Sequence, residues 1–498
     1  MAQSKPANGA NNQDATSVFE PAQTFRTTTR LVVLDIVAVD GKGEPITDVK
    51  AEDIQVTEDG EAQKLIGFSF HRPGALNQKS QQGNIISNSP QYSGNSCLNV
   101  ILLDAINTDF SNHAYAQDML IKYLESGPAI QPTAVYALET NLRLLHEFTT
   151  DTKALRETLA HYTPPGVAKI PDVYAAASPF ERRGTFQPTA RGRTAAFNGM
   201  IFLAQALAGY PGRKNLIWIS EGFPLNLFPD AMMGEGVMVT EDYSAIVEKI
   251  ADDLMAAQVA LYPVSAAGVS QTDQFSATTA MASMAQRTGG KTFVNRNDID
   301  MGVRTSLDDG ATYYTAEYYP RNKGWDGKFR HIKVKINRPG VKLTYRDGYY
   351  AVSPNTRFGV DSMTQQFSNA MAITAPAATA IRFQAAVFPP SKQTQNKVLV
   401  NIGIDPHTLA FQLGNDGLHR AELNCVVWAY PAKGDPVRVE GHTLSAALGA
   451  DEYAAMMKAY FPCSRTLELK PGRYTLRLGI LDRTSSQIGA MSTPLVVP

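Results

Sequence analysis

The chain has 498 residues, of which 44% are hydrophobic and 19% charged, so it holds apolar material for real cores, and at roughly 150 residues per domain it should fold as about three units. There are 46 Lys and Arg against 47 Asp and Glu, a net charge of −1, which excludes a dedicated nucleic-acid binder, because such a protein needs surplus cations to displace counterions from phosphates. No apolar run reaches the roughly 18 residues that a membrane-spanning helix requires. Three cysteines, Cys97, Cys425 and Cys463, exclude a disulfide-dense scaffold and a four-cysteine zinc site but leave room for one bridge.

Residues 1–26 read as a flexible N-terminal segment. The stretch AQSKPANGANNQDATSVFEPAQ after Met1 lacks the apolar centre of a signal peptide. It resembles the start of a mature exported protein whose signal has been removed, so a periplasmic or extracellular location is expected, with a cytosolic origin as the alternative. From residue 27 to 72, TTTRLVVLDIVAVD and DIQVTEDGEAQKLIGFSF are short alternating runs, and Asp59-Gly60 is a two-residue hairpin signal, since both residues accept positive φ. Residues 73–97, polar and poor in β-branched side chains, read as a linker.

Over residues 98–310 the rhythm changes. LNVILLDAIN is a near-continuous apolar run, as expected of a strand buried on both faces in a parallel sheet. Strands such as KNLIWISEG and VALYPVSAAG then alternate with helical segments such as TKALRETLAHY and TAAFNGMIFLAQALAGY, which predicts a doubly wound α/β sheet. From 311 to 352 the β rhythm returns. In FRHIKVKINRPG, Ile332, Val334 and Ile336 alternate with Lys333 and Lys335, so these strands are expected to complete the N-terminal ones in one split β-sandwich with the α/β unit inserted between its halves. Residues 353–373 read as a second linker and 374–498 as a C-terminal β-sandwich. Cys425 and Cys463 fall in that last unit, as a disulfide or as two buried thiols, while Cys97 has no clear partner.

Candidate binding groups belong on the rim beyond the C-terminal strand ends of the α/β sheet. LNVILL delivers Asp104, Ala105, Ile106, Asn107, Thr108 and Asp109. The loop before the large helix delivers Gly192, Arg193 and Thr194, and KNLIWI delivers Ser220, Glu221 and Gly222. Oxygen donors from three loops suit a hard cation.

The D-A-I-N-T turn, the G-R-T helix start and the strand L-I-W-I-S-E-G-F-P together resemble a von Willebrand factor A domain of the type described from Acidobacteria. V-V-L-D-I-V-A-V-D and D-I-Q-V-T-E-D-G before it, with F-R-H-I-K-V-K-I-N-R-P-G-V-K, D-G-Y-Y and L-K-P-G-R-Y-T-L after it, extend the resemblance from Arg26 to near the end of the chain; the β-sandwich around the A-type unit is then expected to be Ig-like. A-domains that bind through a metal use an Asp-x-Ser-x-Ser turn, a Thr from a second loop and an Asp from a third. The resemblance therefore implies Asp104, Thr108, Thr194 and Glu221 as ligands of Mg²⁺, or of Mn²⁺ or Ca²⁺. The site is degenerate: Ile106 stands where the first Ser would be and Glu221 where the Asp would be, with Asn107 and Asp109 as substitute donors. The alternative is that Asp104 and Glu221 cap helix N-termini and bind loop amides with no ion.

No catalytic residue is expected. His146-Glu147 lacks the second His of a zinc motif, and there is no G-x-S-x-G elbow, P-loop or dinucleotide fingerprint. Arg182, Arg183, Arg191 and Arg193, in or just after the loop 163–192, form either a recognition surface for an acidic partner or a solvated loop. The expected function is a non-enzymatic protein-binding or adhesion module of an exported protein, with the rim facing a partner that carries an exposed acidic side chain. A structural envelope component working through sheet edges without metal is the alternative, and a metal-dependent hydrolase ranks third.

Overall fold

The computed structural model describes residues 31–72, 77–78, 85–90, 92–93, 97–126, 131–165, 190–221, 244–267, 275–294, 298–324, 326–351, 360–390, 397–438 and 441–498. Strand Val32–Val39 pairs antiparallel with Tyr313–Tyr318, Leu34 opposite Ala316, and Ile54–Glu58 pairs with Phe329–Ile336, Val56 opposite Val334. Segments on either side of the α/β unit thus complete each other's sheets. The result is two four-stranded sheets whose inward side chains, among them Leu34, Ile36, Val56, Tyr318 and Val334, bury one common core. Asp59 and Gly60 take the left-handed turn expected of them, with φ of 49° and 88°. Tyr313, Tyr314 and Tyr318 are buried and Tyr319 is exposed.

Between these halves lie β1 (Leu98–Asp104), α1 (Phe110–Ser126), β2 (Thr133–Leu138), β3 (Leu142–Thr149), α2 (Thr152–His161), α3 (Ala190–Leu207), β4 (Lys214–Ser220), α4 (Ser244–Ala256), β5 (Val259–Ser265), α5 (Phe275–Thr288) and α6 (Ile299–Asp308). The sheet order is β3-β2-β1-β4-β5. Neighbouring strands run parallel except β3, which is antiparallel to β2. All seven residues of β1 are buried, because helices cover both faces. Alternate side chains of β1 and β4 feed two cores: Leu102 and Trp218 pack with Ala196 and Leu203 of α3, and Ile101 and Ile219 pack with Leu120 of α1 and Leu307 of α6.

Residues 73–97 are more than a linker. Ile85–Ser87 adds an edge strand to Phe383–Phe388, Ile86 opposite Ala385. The buried Asn88 amide then donates to the Ala378 and Ile381 carbonyls, both at 2.7 Å, and its Oδ1 accepts from Phe383 N at 2.8 Å. A three-residue strand is too short to show a period, and its polar neighbours hide it. Within 353–373, Val360–Ala370 is a helix whose Met363 and Ala370 are buried against the α3 core, with Phe367 packed on it. Their spacing of four and three residues is the apolar stripe that holds it there.

The C-terminal residues form two sheets. One has the order Ala378–Thr379, Ile488–Val497, Gly472–Asp482, His419–Pro431, Gln412–Leu413, and the other Phe461–Glu468, Lys397–Ile404, Phe383–Phe388, Ile85–Ser87. They share a core that includes Val400, Val427, Leu467 and Leu478. Cys425 and Cys463 are joined across this core, linking the two sheets, which resolves the open alternative in favour of a disulfide. Cys97 is a buried free thiol. The C-terminal part also grips the end of α3. Thr379 Oγ1 donates to Ala206 O at 2.7 Å and accepts from Gly209 N at 2.8 Å, and Gln205 spans Ser486 O at 3.2 Å and Ile488 N at 2.6 Å.

Candidate functional site

Asp104 ends β1 with no solvent exposure. Residues two apart on a strand share a face, so Leu102 and Asp104 look the same way as Trp218 and Ser220 on the neighbouring β4. Trp218 Nε1 donates to Asp104 Oδ2 at 3.2 Å and Ser220 Oγ donates to the same oxygen at 2.9 Å. From the turn, Asn107 N donates to Oδ1 at 2.9 Å, and the Asn107 amide reaches Oδ1 at 3.1 Å and Oδ2 at 3.2 Å. That amide also donates to Gly192 O at 3.3 Å, which ties the β1 turn to the start of α3. Burial pushes the Asp104 carboxyl up to about 6, while these donors pull it the other way.

Further rim oxygens are engaged, whereas Asn107 Oδ1 is buried and makes no hydrogen bond. Thr108 Oγ1 accepts from Glu221 N at 3.2 Å, and Glu221 Oε2 accepts from Asp109 N at 2.8 Å. Asp109 Oδ1 accepts from Ser111 N at 2.9 Å and from Ser111 Oγ at 3.1 Å, so it caps α1. Glu221 places its carboxylate at the same positive helix end. Thr194 is exposed and lies inside α3, not on a loop before it, because α3 begins at Ala190. Arg191 and Arg193 occupy the first turns of the same helix, their side chains outside the described residues. Arg182, Arg183 and Gly222 lie wholly outside them, as does the loop over residues 166–189.

As arranged, the Asp104 carboxylate presents no free lone pair to a divalent cation. A carboxylate has about four lone-pair sites, and five N–H and O–H contacts already point at those of Asp104. Ile106 brings no oxygen, and Mg²⁺ demands near-ideal octahedral oxygen coordination. Among the described residues no group of three or more His, Cys, Asp or Glu converges on a point. The structure brings Asp104, Asn107, Thr108, Asp109 and Glu221 together in a hydrogen-bonded knot that leaves the buried Asn107 Oδ1 without a partner. Around that knot Asp109, Phe110, Ser111 and Thr194 face solvent, and Phe110 is 48% exposed.

Sequence reasoning missed Trp218 as a partner of Asp104 and Phe110 as a rim aromatic. The period-2 alternation of LIWIS could have revealed the first. An aromatic directly after D-A-I-N-T-D, at the point where the helix starts, could have revealed the second.

Sheet order, register and rim define a doubly wound α/β unit with one antiparallel edge strand. No protein-family model matches the chain, and no curated protein does. Solved structures similar to it include the vWF domain of the type V pili tip protein Mfa5 from Porphyromonas gingivalis, at 12% identity over 43% of this chain and 98% of that one, TM-score 0.25. They also include the ArnB paralog VWA2 from Sulfolobus acidocaldarius, at 10% identity over 89% of this chain and 75% of that one, TM-score 0.25. An aerotolerance-related membrane protein from Bacteroides fragilis is similar at 10% identity over 43% of this chain and 98% of that one, TM-score 0.28. The class of fold rests on the strand order and register, not on these overall scores.

Proposed function

We propose that the chain is a non-enzymatic protein-binding module of an exported protein. In this reading a von Willebrand factor A-type unit is set in a split β-sandwich, followed by a second sandwich, and offers its rim to a protein partner without a bound cation. The observation that carries it is the exposed Phe110 beside Asp109, above a centre in which the Asp104 carboxylate is saturated by protein donors. An exposed aromatic next to a charge on a rigid base is the kind of anchor that dominates protein interfaces. Arg191 and Arg193 at the start of α3, with Arg182 and Arg183, would meet an acidic side chain of the partner. Export is supported by the Cys425–Cys463 disulfide, since such bonds persist in oxidising compartments.

A second reading, an envelope or assembly component acting through a sheet edge, is favoured by Leu65–His71. This strand ends its sheet, with Ile66 53% and Phe70 38% exposed. A photo-crosslinking residue placed at Ser111 or at Ile66, with irradiation in the cell of origin, separates the two. The rim reading expects a discrete protein adduct from Ser111 that survives EDTA and is lost with Phe110→Ala. Adducts from Ile66 alone would replace it with the edge reading, and an adduct from Ser111 that EDTA abolishes would overturn the cation-free rim.

A further inference from the structure

At the end of the α/β sheet opposite the rim, the first residues of β4 and β5 abut the strand Val32–Val39 and the turn that holds Arg346. A cavity of about 20 Å³ lies in this junction, with Val33, Asp35, Arg213, Gln258, Thr288 and Arg346 in its wall. That is room for a species about the size of one water molecule. Its polarity is unusual. Arg213, 2% exposed, donates from Nη2 to Tyr262 Oη at 2.9 Å and to Gly289 O at 2.7 Å. Arg346 donates from Nη2 to Val33 O at 2.9 Å. The Nε of each is buried and makes no hydrogen bond, and among the described residues neither guanidinium pairs with a carboxylate within 4.0 Å.

Asp35 is the only acid in the wall, and its oxygens are engaged by Thr315 Oγ1 at 3.0 Å and Gln258 Nε2 at 3.5 Å. Asp309 makes no direct hydrogen bond to Arg213, though its charge is felt there; it accepts from the Tyr262 hydroxyl at 2.6 Å and is paired with Lys291 at 2.8 Å. Beside Arg213 sits the buried Lys214, whose Nζ donates to Tyr210 O at 2.7 Å; burial brings its ammonium down to about 7. Two permanent positive charges therefore share the wall with one carboxylate, while Asp309 and Asp252 act on them from farther off. Unpaired buried charge is costly and is relieved when a counter-charge completes the site.

We propose that this cavity binds a compact inorganic anion of the chloride class, held between Arg213 and Arg346. Val33, Asp35 and Arg346 belong to the two-sheet unit, while Arg213, Gln258 and Thr288 belong to the α/β unit. One ion thereby ties the two together at their base. The small volume suits a monatomic ion. The proposal stands independently of what the rim binds.

The test is thermal unfolding of the full chain at fixed ionic strength, with gluconate, too bulky to enter, replaced stepwise by chloride or bromide. The expected result is a saturable rise in Tm. Arg346→Met should abolish the rise, and Asp35→Asn, by removing the only negative charge from the wall, should lower the half-saturating concentration several-fold. Should Arg346→Met fail to fold, the Asp35→Asn shift and the anomalous signal of bromide in wild-type crystals carry the test. A bromide peak between the two guanidinium groups together with the saturable Tm rise is the supporting outcome. A Tm that stays the same as chloride or bromide replaces gluconate overturns the proposal, and so does a bromide peak without stabilisation, which marks an adventitious ion only.

Discussion

The indole Nε1 of Trp218 donates to Oδ2 of Asp104 at 3.2 Å, so a core aromatic of one central strand holds the rim carboxylate of its neighbour. Trp218→Phe keeps most of the ring and deletes only the donor. Removing a hydrogen bond to a buried charge should cost about 1–3 kcal/mol, read as a lower urea midpoint at neutral pH. The deficit should shrink well below the Asp104 value of about 6, where the protonated carboxyl needs fewer donors. A deficit that is the same at both pH values would mean that the loss comes from packing alone.

Asp104 also sets a pH dependence with a definite sign. Its carboxyl rises from 3.8 in the unfolded chain to about 6 in the native state. The stability it contributes is therefore fully present below its unfolded value and lost as pH rises through about 6. At 1.36 kcal/mol per unit, a rise of about two units corresponds to about 3 kcal/mol. The stability of the wild type relative to Asp104→Asn should fall by about that much between pH ~4 and pH ~7. A flat difference across that window would show that the carboxyl is not perturbed.

The disulfide links the two C-terminal sheets across 38 residues of sequence. Closing a loop of that length restricts the unfolded chain by about 4 kcal/mol on the chain-entropy model. Replacing both Cys425 and Cys463 with Ser should lower stability by an amount of that order, measured by chemical denaturation, and reductant should have no further effect on the double variant.

Burial pushes the Cys97 thiol up to about 12, and only the thiolate reacts. Native, non-reduced protein should therefore give no reaction with a thiol reagent at mildly alkaline pH, and the same protein in denaturant should give a single equivalent. Labelling of the native form would place Cys97 at a surface.

Much of this architecture was legible in the residues. LNVILLD announces a strand covered on both faces, the alternation of Ile332, Val334 and Ile336 announces a half-buried one, and the D-A-I-N-T turn marks the rim. The state of the rim was not legible, because it depends on register. Trp218 and Ser220 meet Asp104 from 114 and 116 residues away, and no local pattern reports which oxygen a distant donor will satisfy. The edge strand Ile85–Ser87 is too short to carry a period, and its place is fixed by Asn88 bonding to backbone near residue 380. The stripe Met363, Phe367, Ala370 was present in the sequence, but its partner surface on α3 lies more than a hundred residues upstream. The same distance in sequence separates Arg213 from Arg346, so their common cavity is visible only in the fold.

Whether the rim works without a cation is decided by thermal unfolding of wild type and Asp104→Ala in EDTA, Mg²⁺, Mn²⁺ and Ca²⁺ at constant ionic strength. A bound ion must stabilise the native state by mass action. The expected result is that the wild-type Tm is the same in all four conditions, while Asp104→Ala is destabilised equally in each. A rise in Tm with one cation that is saturable in wild type and absent in Asp104→Ala would contradict the account and make the rim a metal site.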